Sequence, residues 1–140
     1  MALQTHTGSC HCKAVRFEAD LDLAAGTNRC NCSYCTKARA WFAFAKGADS
    51  FRLLEGAQAL TEYRWTPPGR PGPFLTYAFC ATCGIRVFGR GEMEALGGVF
   101  HAVPVNILDD MSPAEFASVP INYIDNRHDR LEPPEIVAYL

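Results

Sequence analysis

The sequence predicts a mainly β fold of short antiparallel strands with little helix. Three observations carry that prediction. Short aromatic or β-branched runs recur along the chain, helix signals are sparse, and the cysteines fall in tight clusters able to staple remote segments together. A length of 140 residues is about one domain and is enough to bury a hydrophobic core, so residues 1–140 are read as a single domain.

The expected elements follow in chain order. Ala14-Val15-Arg16-Phe17-Glu18-Ala19 alternates apolar and polar residues, as a half-buried strand does. Ser33 to Lys37 has room for a single helical turn. Trp41 to Ala45 and Phe51 to Leu54 are aromatic-rich runs of strand length, and Thr61-Glu62-Tyr63-Arg64-Trp65 alternates again. Pro67-Pro68-Gly69-Arg70-Pro71-Gly72-Pro73 is the densest breaker segment. It reads as a surface loop rather than a domain boundary, because the cysteines on its two sides belong together. Phe74 to Phe79, Ile85 to Phe88 and Val99 to Val105 are further strands. Ser112-Pro113-Ala114-Glu115-Phe116 has the order of a helix start: a capping serine, a proline at the first helical position and an acidic residue at the third.

Composition removes several classes of function. The chain is 49% hydrophobic and 20% charged, which is ordinary for a soluble globular protein. A net charge of −2 with scattered Lys and Arg offers no basic face for nucleic acid or for an anionic membrane surface. No apolar run approaches the roughly 18 residues a membrane helix needs. Met1 to Ser9 is polar and lacks the charged-then-apolar order of a signal peptide, so a cytoplasmic location is expected. In that reducing compartment, clustered cysteines point to metal ligands or reactive thiols rather than to disulfides.

The seven cysteines form three clusters: Cys10-x-Cys12, Cys30-x-Cys32-x-x-Cys35 and Cys80-x-x-Cys83. A structural zinc ion takes four ligands in a tetrahedron, commonly from two close pairs. Cys10 with Cys12 and Cys80 with Cys83 supply two such pairs and would make a closed site. Gly84, directly after Cys83, suits a knuckle whose N–H groups turn toward the sulfurs and leave no room for a Cβ. Cys30, Cys32 and Cys35 remain. Three protein ligands with a fourth position free is the arrangement of a catalytic zinc site, so two zinc ions per chain are expected. Other partitions stay open from spacing alone: one four-cysteine site with three spare thiols, a second site closed by His6, His11, His101 or His128, or iron–sulfur ligation.

Three segments carry a resemblance. Gly8-Ser9-Cys10-His11-Cys12-Lys13-Ala14-Val15-Arg16-Phe17, Cys30-Asn31-Cys32-Ser33-Tyr34-Cys35 and Phe79-Cys80-Ala81-Thr82-Cys83-Gly84 resemble the glutathione-dependent formaldehyde-activating enzyme family, which includes relatives of centromere protein V. The resemblance spans roughly residues 8 to 110 in the family's order and approximate spacing. It implies a zinc-stapled, mainly β fold. It also implies a structural zinc on Cys10, Cys12, Cys80 and Cys83 and a second, catalytic zinc on Cys30, Cys32 and Cys35. The implied activity joins a thiol such as glutathione to formaldehyde, giving S-hydroxymethylglutathione, and is a carbon–sulfur lyase activity in reverse. The competing expectation is a non-catalytic zinc protein that binds thiols or a protein partner. Lys13 departs from the family pattern, where glycine is frequent, and should alter only the local turn.

Further residues carry weaker expectations. His101 reads as a hydrogen-bonded histidine packed within a strand, and His11 should point away from the metal. His128 reads as a surface residue on a C-terminal segment able to fold over the site. Lys37, Arg39 and Arg64 are candidate partners for glutathione carboxylates, against the competing reading of solvated surface charge. Trp41, Phe42 and Phe44 could wall a pocket or simply pack the core, and Ser33 and Asn106 are candidate polar contacts.

Overall fold

The computed structural model describes residues 3–130 and 132–140; Met1 and Ala2, at the head of the polar N-terminal segment, lie outside them. Among the described residues, ten strands and two short helices follow one another. The strands are β1 (Gln4–Ser9), β2 (Arg16–Leu21), β3 (Thr27–Cys30), β4 (Trp41–Lys46), β5 (Phe51–Glu55), β6 (Leu60–Arg64), β7 (Thr76–Cys80), β8 (Arg86–Met93), β9 (Gly98–Pro104) and β10 (Ile121–Ile124). Helix α1 (Ser33–Ala38) lies between β3 and β4, and α2 (Pro113–Ser118) precedes β10.

The strands form a three-stranded sheet in the order β1-β2-β5 and a seven-stranded sheet in the order β10-β3-β4-β9-β8-β7-β6. Each predicted strand is present, with its ends moved by a few residues. The first begins at Arg16 rather than Ala14 because the preceding residues close the β1–β2 turn, where the Cys10 N–H bonds the Val15 carbonyl. Along β2 the expected alternation holds: Phe17, Ala19 and Leu21 are buried and the residues between them are not. The breaker segment is the loop joining β6 to β7. The predicted α2 start is a complete capping box, with the Glu115 N–H on Ser112 Oγ at 3.1 Å and the Ser112 N–H on Glu115 Oε1 at 3.0 Å.

The core lies where the two sheets meet. Val15, Phe17, Ala19, Leu21 and Phe51 from the small sheet side pack with Ala43, Ala45, Val87 and Val103 of the large one. Cys10 and Cys80 sit in the same cluster, so one cysteine group grows directly out of the core.

One feature departs from the antiparallel expectation: β10 pairs with β3 in parallel, with Ile124 opposite Cys30. The last strand thus returns across more than ninety residues to lie beside the segment that carries the middle cysteines. No helix among the described residues is long and apolar enough to cross a membrane.

Candidate metal centre and adjoining cleft

The outer cysteine pairs come from two turns. Cys10 and Cys12 lie in the turn after β1, and Cys80 ends β7 with Cys83 in the turn before β8. Their four sulfurs all lie within 4.8 Å of one another. Four thiolates held about 2.3 Å from a tetrahedral zinc would sit about 3.8 Å apart. The Cys10–Cys12 and Cys12–Cys80 sulfur separations are both 3.7 Å, and all four cysteines are free of disulfides. The donor set and its spacing therefore fit zinc.

The local backbone is built to receive negative charge there. Donation from the Cys12 and Ile85 backbone N–H groups brings the Cys83 thiol down to about 6. The N–H groups of Cys83 and Thr82 lower Cys80 as well. The Val15 N–H points at Cys10 Sγ at 3.3 Å. Cys12, although it faces the Ala14 N–H, is pushed up to about 11 by desolvation and by its three sulfur neighbours, a crowding that a cation relieves. Gly84 turns the knuckle with φ +77°, and the Gly84 N–H bonds the Cys80 carbonyl at 2.8 Å. The expected reason for this glycine needs correcting. Nothing lies within 4 Å of a Cβ built there, so the left-handed backbone requires glycine, and lack of room does not.

The middle trio is assembled by a strand end and a helix start. Cys30 closes β3, Cys32 is the N-cap of α1, and Cys35 lies in its first turn. The Cys35 N–H donates to Cys32 Sγ at 3.3 Å and the Cys32 N–H to Cys30 Sγ at 3.4 Å. These three sulfurs also lie within 4.8 Å of one another. Cys30 and Cys35 are buried, while Cys32 is half-buried. Hydrogen bonds from the Cys30 and Cys35 thiols hold Cys32 far below the usual thiol range. The same contacts push Cys30 and Cys35 up. The three thiols share hydrogen bonds, so their proton affinities are set jointly, and a cation among them would favour the thiolate forms.

Among the described residues, no histidine or carboxylate joins the trio to close it. His6 Nδ1 lies 3.2 Å from Asp110, His11 is exposed, and His128 Nδ1 is held 2.9 Å from Asp125. His101 is packed within β9, as expected, in contact with the rings of Phe51 and Phe88. The hydrogen bond expected for it is absent at Nδ1, which is buried without a partner. The ring sits among aromatic side chains that offer no acceptor.

The C-terminal segment does fold against the trio, and sequence reasoning missed the residues that do it. A 3₁₀ turn at Asn126–His128 follows β10, and Asn126 Nδ2 donates to Cys30 Sγ at 3.2 Å. The Arg127 N–H donates to Asn31 Oδ1 at 2.9 Å and Arg127 Nε to the Asn31 carbonyl at 3.0 Å. Asn31 Nδ2 in turn donates to the buried Asp125 carboxylate at 2.8 Å. Donation from Asn31, then from Arg130 and His128, holds that carboxyl well below the usual range. The only sequence signal was the polar run Asn126-Arg127-His128-Asp129-Arg130, which does not name its partners.

A cleft of about 470 Å³ is lined by Tyr34 and Ala38 of α1 and by the Gly84–Arg86 stretch that follows Cys83, with no cysteine on its surface. Arg39, Trp41 and Asn106 of the predicted residues line it, together with Tyr34, Tyr63 and Arg86. Tyr34 stacks on Tyr77 at 3.9 Å and on Tyr63 at 6.0 Å, and the Arg86 guanidinium lies 5.5 Å from the Tyr34 ring centre. Phe42 packs with Cys30 and Cys35 instead of lining the cleft, Phe44 lines a separate hollow, and Arg64 pairs with Glu62 at 3.8 Å. Lys37 and Ser33 are exposed on α1.

A family model described as glutathione-dependent formaldehyde-activating enzyme matches residues 5–126, a span that takes in all seven cysteines.

Proposed function

Because the chain belongs to the glutathione-dependent formaldehyde-activating enzyme family, we propose that it is a zinc-dependent, carbon–sulfur lyase-like enzyme. It would form or cleave the adduct between a thiol, glutathione, and a small aldehyde, formaldehyde, giving S-hydroxymethylglutathione. The carrying observation is the contrast between the two sulfur groups: four converge in one and three in the other, and Tyr34, between Cys32 and Cys35 in the chain, lines a cleft. We assign Cys10, Cys12, Cys80 and Cys83 to a structural zinc and Cys30, Cys32 and Cys35 to a catalytic one, within a single domain of residues 1–140 working in the cytoplasm.

Zinc held by the trio would supply the positive charge that keeps a substrate thiol ionised at neutral pH. The chain's own residues do the rest. Burial of Cys30 and Cys35 keeps those two sulfurs away from water, while half-buried Cys32 is the most accessible of the three. Arg39 and Arg86 stand on the cleft walls where a thiol's carboxylates can pair with them, and the Tyr34 ring gives Arg86 a fixed seat. In the reaction a sulfur–carbon bond forms, the carbonyl π pair moves to oxygen, and that oxygen takes up the proton the thiol gave up. Thiols add to formaldehyde unaided, so a few kcal/mol off the barrier is enough.

The test is the exchange of glutathione with its formaldehyde adduct, followed by NMR. Exchange should rise above the spontaneous rate in proportion to protein added, and a Cys32→Ser variant should lose the increment. Stoichiometric binding without that increment would identify a non-catalytic thiol binder instead.

A further inference from the structure

We propose that Asn126 is a positioning residue for the three-cysteine centre: its side-chain amide fixes the Cys30 sulfur in ligand geometry. The proposal rests on the reading of that trio as a metal site.

The contact is specific and preorganised. Asn126 Nδ2 lies 3.2 Å from Cys30 Sγ, across a separation of 96 residues, so the fold rather than local sequence brings them together. Both ends of the contact are held. Ile124 pairs with Cys30 in the parallel β10–β3 ladder, and the Asn31 N–H bonds the Ile124 carbonyl at 3.3 Å. Asn31 and the 125–127 stretch exchange hydrogen bonds both ways, through Asn31 Nδ2 to Asp125 and the Arg127 N–H to Asn31 Oδ1. The 3₁₀ turn is capped by Asp125, whose carboxylate accepts from the His128 N–H at 3.3 Å. Asn126 therefore projects from a segment fixed to the residue next to its target.

The chemistry of the donor also fits. An amide N–H orients a thiolate lone pair without bringing a positive charge that would compete with a metal cation. The cation on the same turn is turned aside: Arg127 donates its guanidinium N–H groups to the Asn31 carbonyl at 3.0 Å and to Thr36 Oγ1 at 3.5 Å. With the Cys32 N–H, Cys30 receives two N–H donors and is buried. Groups that hydrogen-bond metal ligands fix ligand orientation, and their loss typically weakens metal affinity by roughly 10- to 100-fold.

The experiment uses the full chain loaded with zinc, titrated with a chromophoric chelator, with Cys32→Ser as the reference lacking the trio site. Asn126→Ala should weaken the trio's zinc by roughly 10- to 100-fold while the four-cysteine zinc is held as in wild type. Asn126→Asp, of nearly equal size but without the N–H donor and with an added like charge, should weaken it at least as much. In cobalt-substituted protein both variants should shift the thiolate-to-metal charge-transfer band of the trio. Wild-type affinity and spectrum in both variants would overturn the proposal and leave the trio reading intact. Equal loss at both metals with a lowered melting temperature would also overturn it, because Asn126 would then serve the fold alone. A wild-type chain that binds the same number of zinc ions as Cys32→Ser would overturn the trio reading and this proposal together.

Discussion

Protonating His101 should cost the fold about 2 kcal/mol by pH 5. The ring is buried against Phe51 at 4.5 Å and Phe88 at 5.4 Å, with Nδ1 unpartnered. Burial first, and then the charge of Arg90 opposite it in the β8–β9 ladder, lowers its pKa from 6.5 to about 4. The neutral ring is therefore favoured in the folded protein. Below pH about 6.5 the unfolded chain takes up a proton that the folded chain refuses until about pH 4. Stability is thus lost progressively as pH falls through that window. At about 1.4 kcal/mol per pH unit, the loss between pH 7 and pH 5 comes to about 2 kcal/mol. The assay is urea unfolding of wild type and His101→Phe at both pH values with zinc in excess. The two proteins share the acid sensitivity of their thiolate sites, so the difference between them isolates His101. Wild type should lose about 2 kcal/mol more than the variant between the two pH values. An equal loss in both would refute the reasoning, since the ring would then titrate alike folded and unfolded.

Other consequences are equally direct. Lys13 holds a left-handed backbone at φ +68°, so Lys13→Gly should stabilise the fold by about 1 kcal/mol in the same unfolding assay. Phe17 is fully buried between the sheets, and Phe17→Ala should cost about 3–5 kcal/mol, read as a shifted urea midpoint. Arg86→Ala should raise the KM for glutathione about tenfold, equivalent to about 1.4 kcal/mol, and change that for an uncharged thiol little. Equal effects on both thiols would remove Arg86 from carboxylate recognition. Asp125→Asn should lower the melting temperature and loosen the trio's metal together, because that carboxylate holds Asn31 and the 125–130 stretch as one unit.

The cysteine groups and the main strands were legible because their signals are local. Spacings of one and two residues place sulfurs on one side of a turn, and Phe17, Ala19 and Leu21 announce a buried face by alternation alone. β1, β3 and β10 were not foreseen. Gln4–Ser9 and Thr27–Cys30 are dominated by polar residues, and Ile121–Ile124 is only four residues long. Their strand state comes from the partners they meet: β2 for the first, β4 and β10 for the second, and β3 for the third. The same physics hid Asn126 and Arg127. Their bonds to Cys30 and Asn31 close across 96 residues, and nothing in the run Asn126-Arg127-His128 distinguishes that role from a solvated surface turn. Gly84 was singled out correctly, but its cause is the sign of φ rather than crowding. The pocket residues divided for a comparable reason. Alternation along β4 puts Trp41 on the cleft side and turns Phe42 inward against Cys30 and Cys35, a choice that depends on sheet register.

The most direct test of the central claim is a zinc titration of chelator-stripped protein, with glutathione–formaldehyde exchange measured at each addition. The four-cysteine site should fill first and restore the fold, and exchange should stay at the spontaneous rate through the first equivalent. It should then climb through the second equivalent and level off at two zinc ions per chain. Exchange that is complete at one equivalent, or still spontaneous at two, would contradict the account.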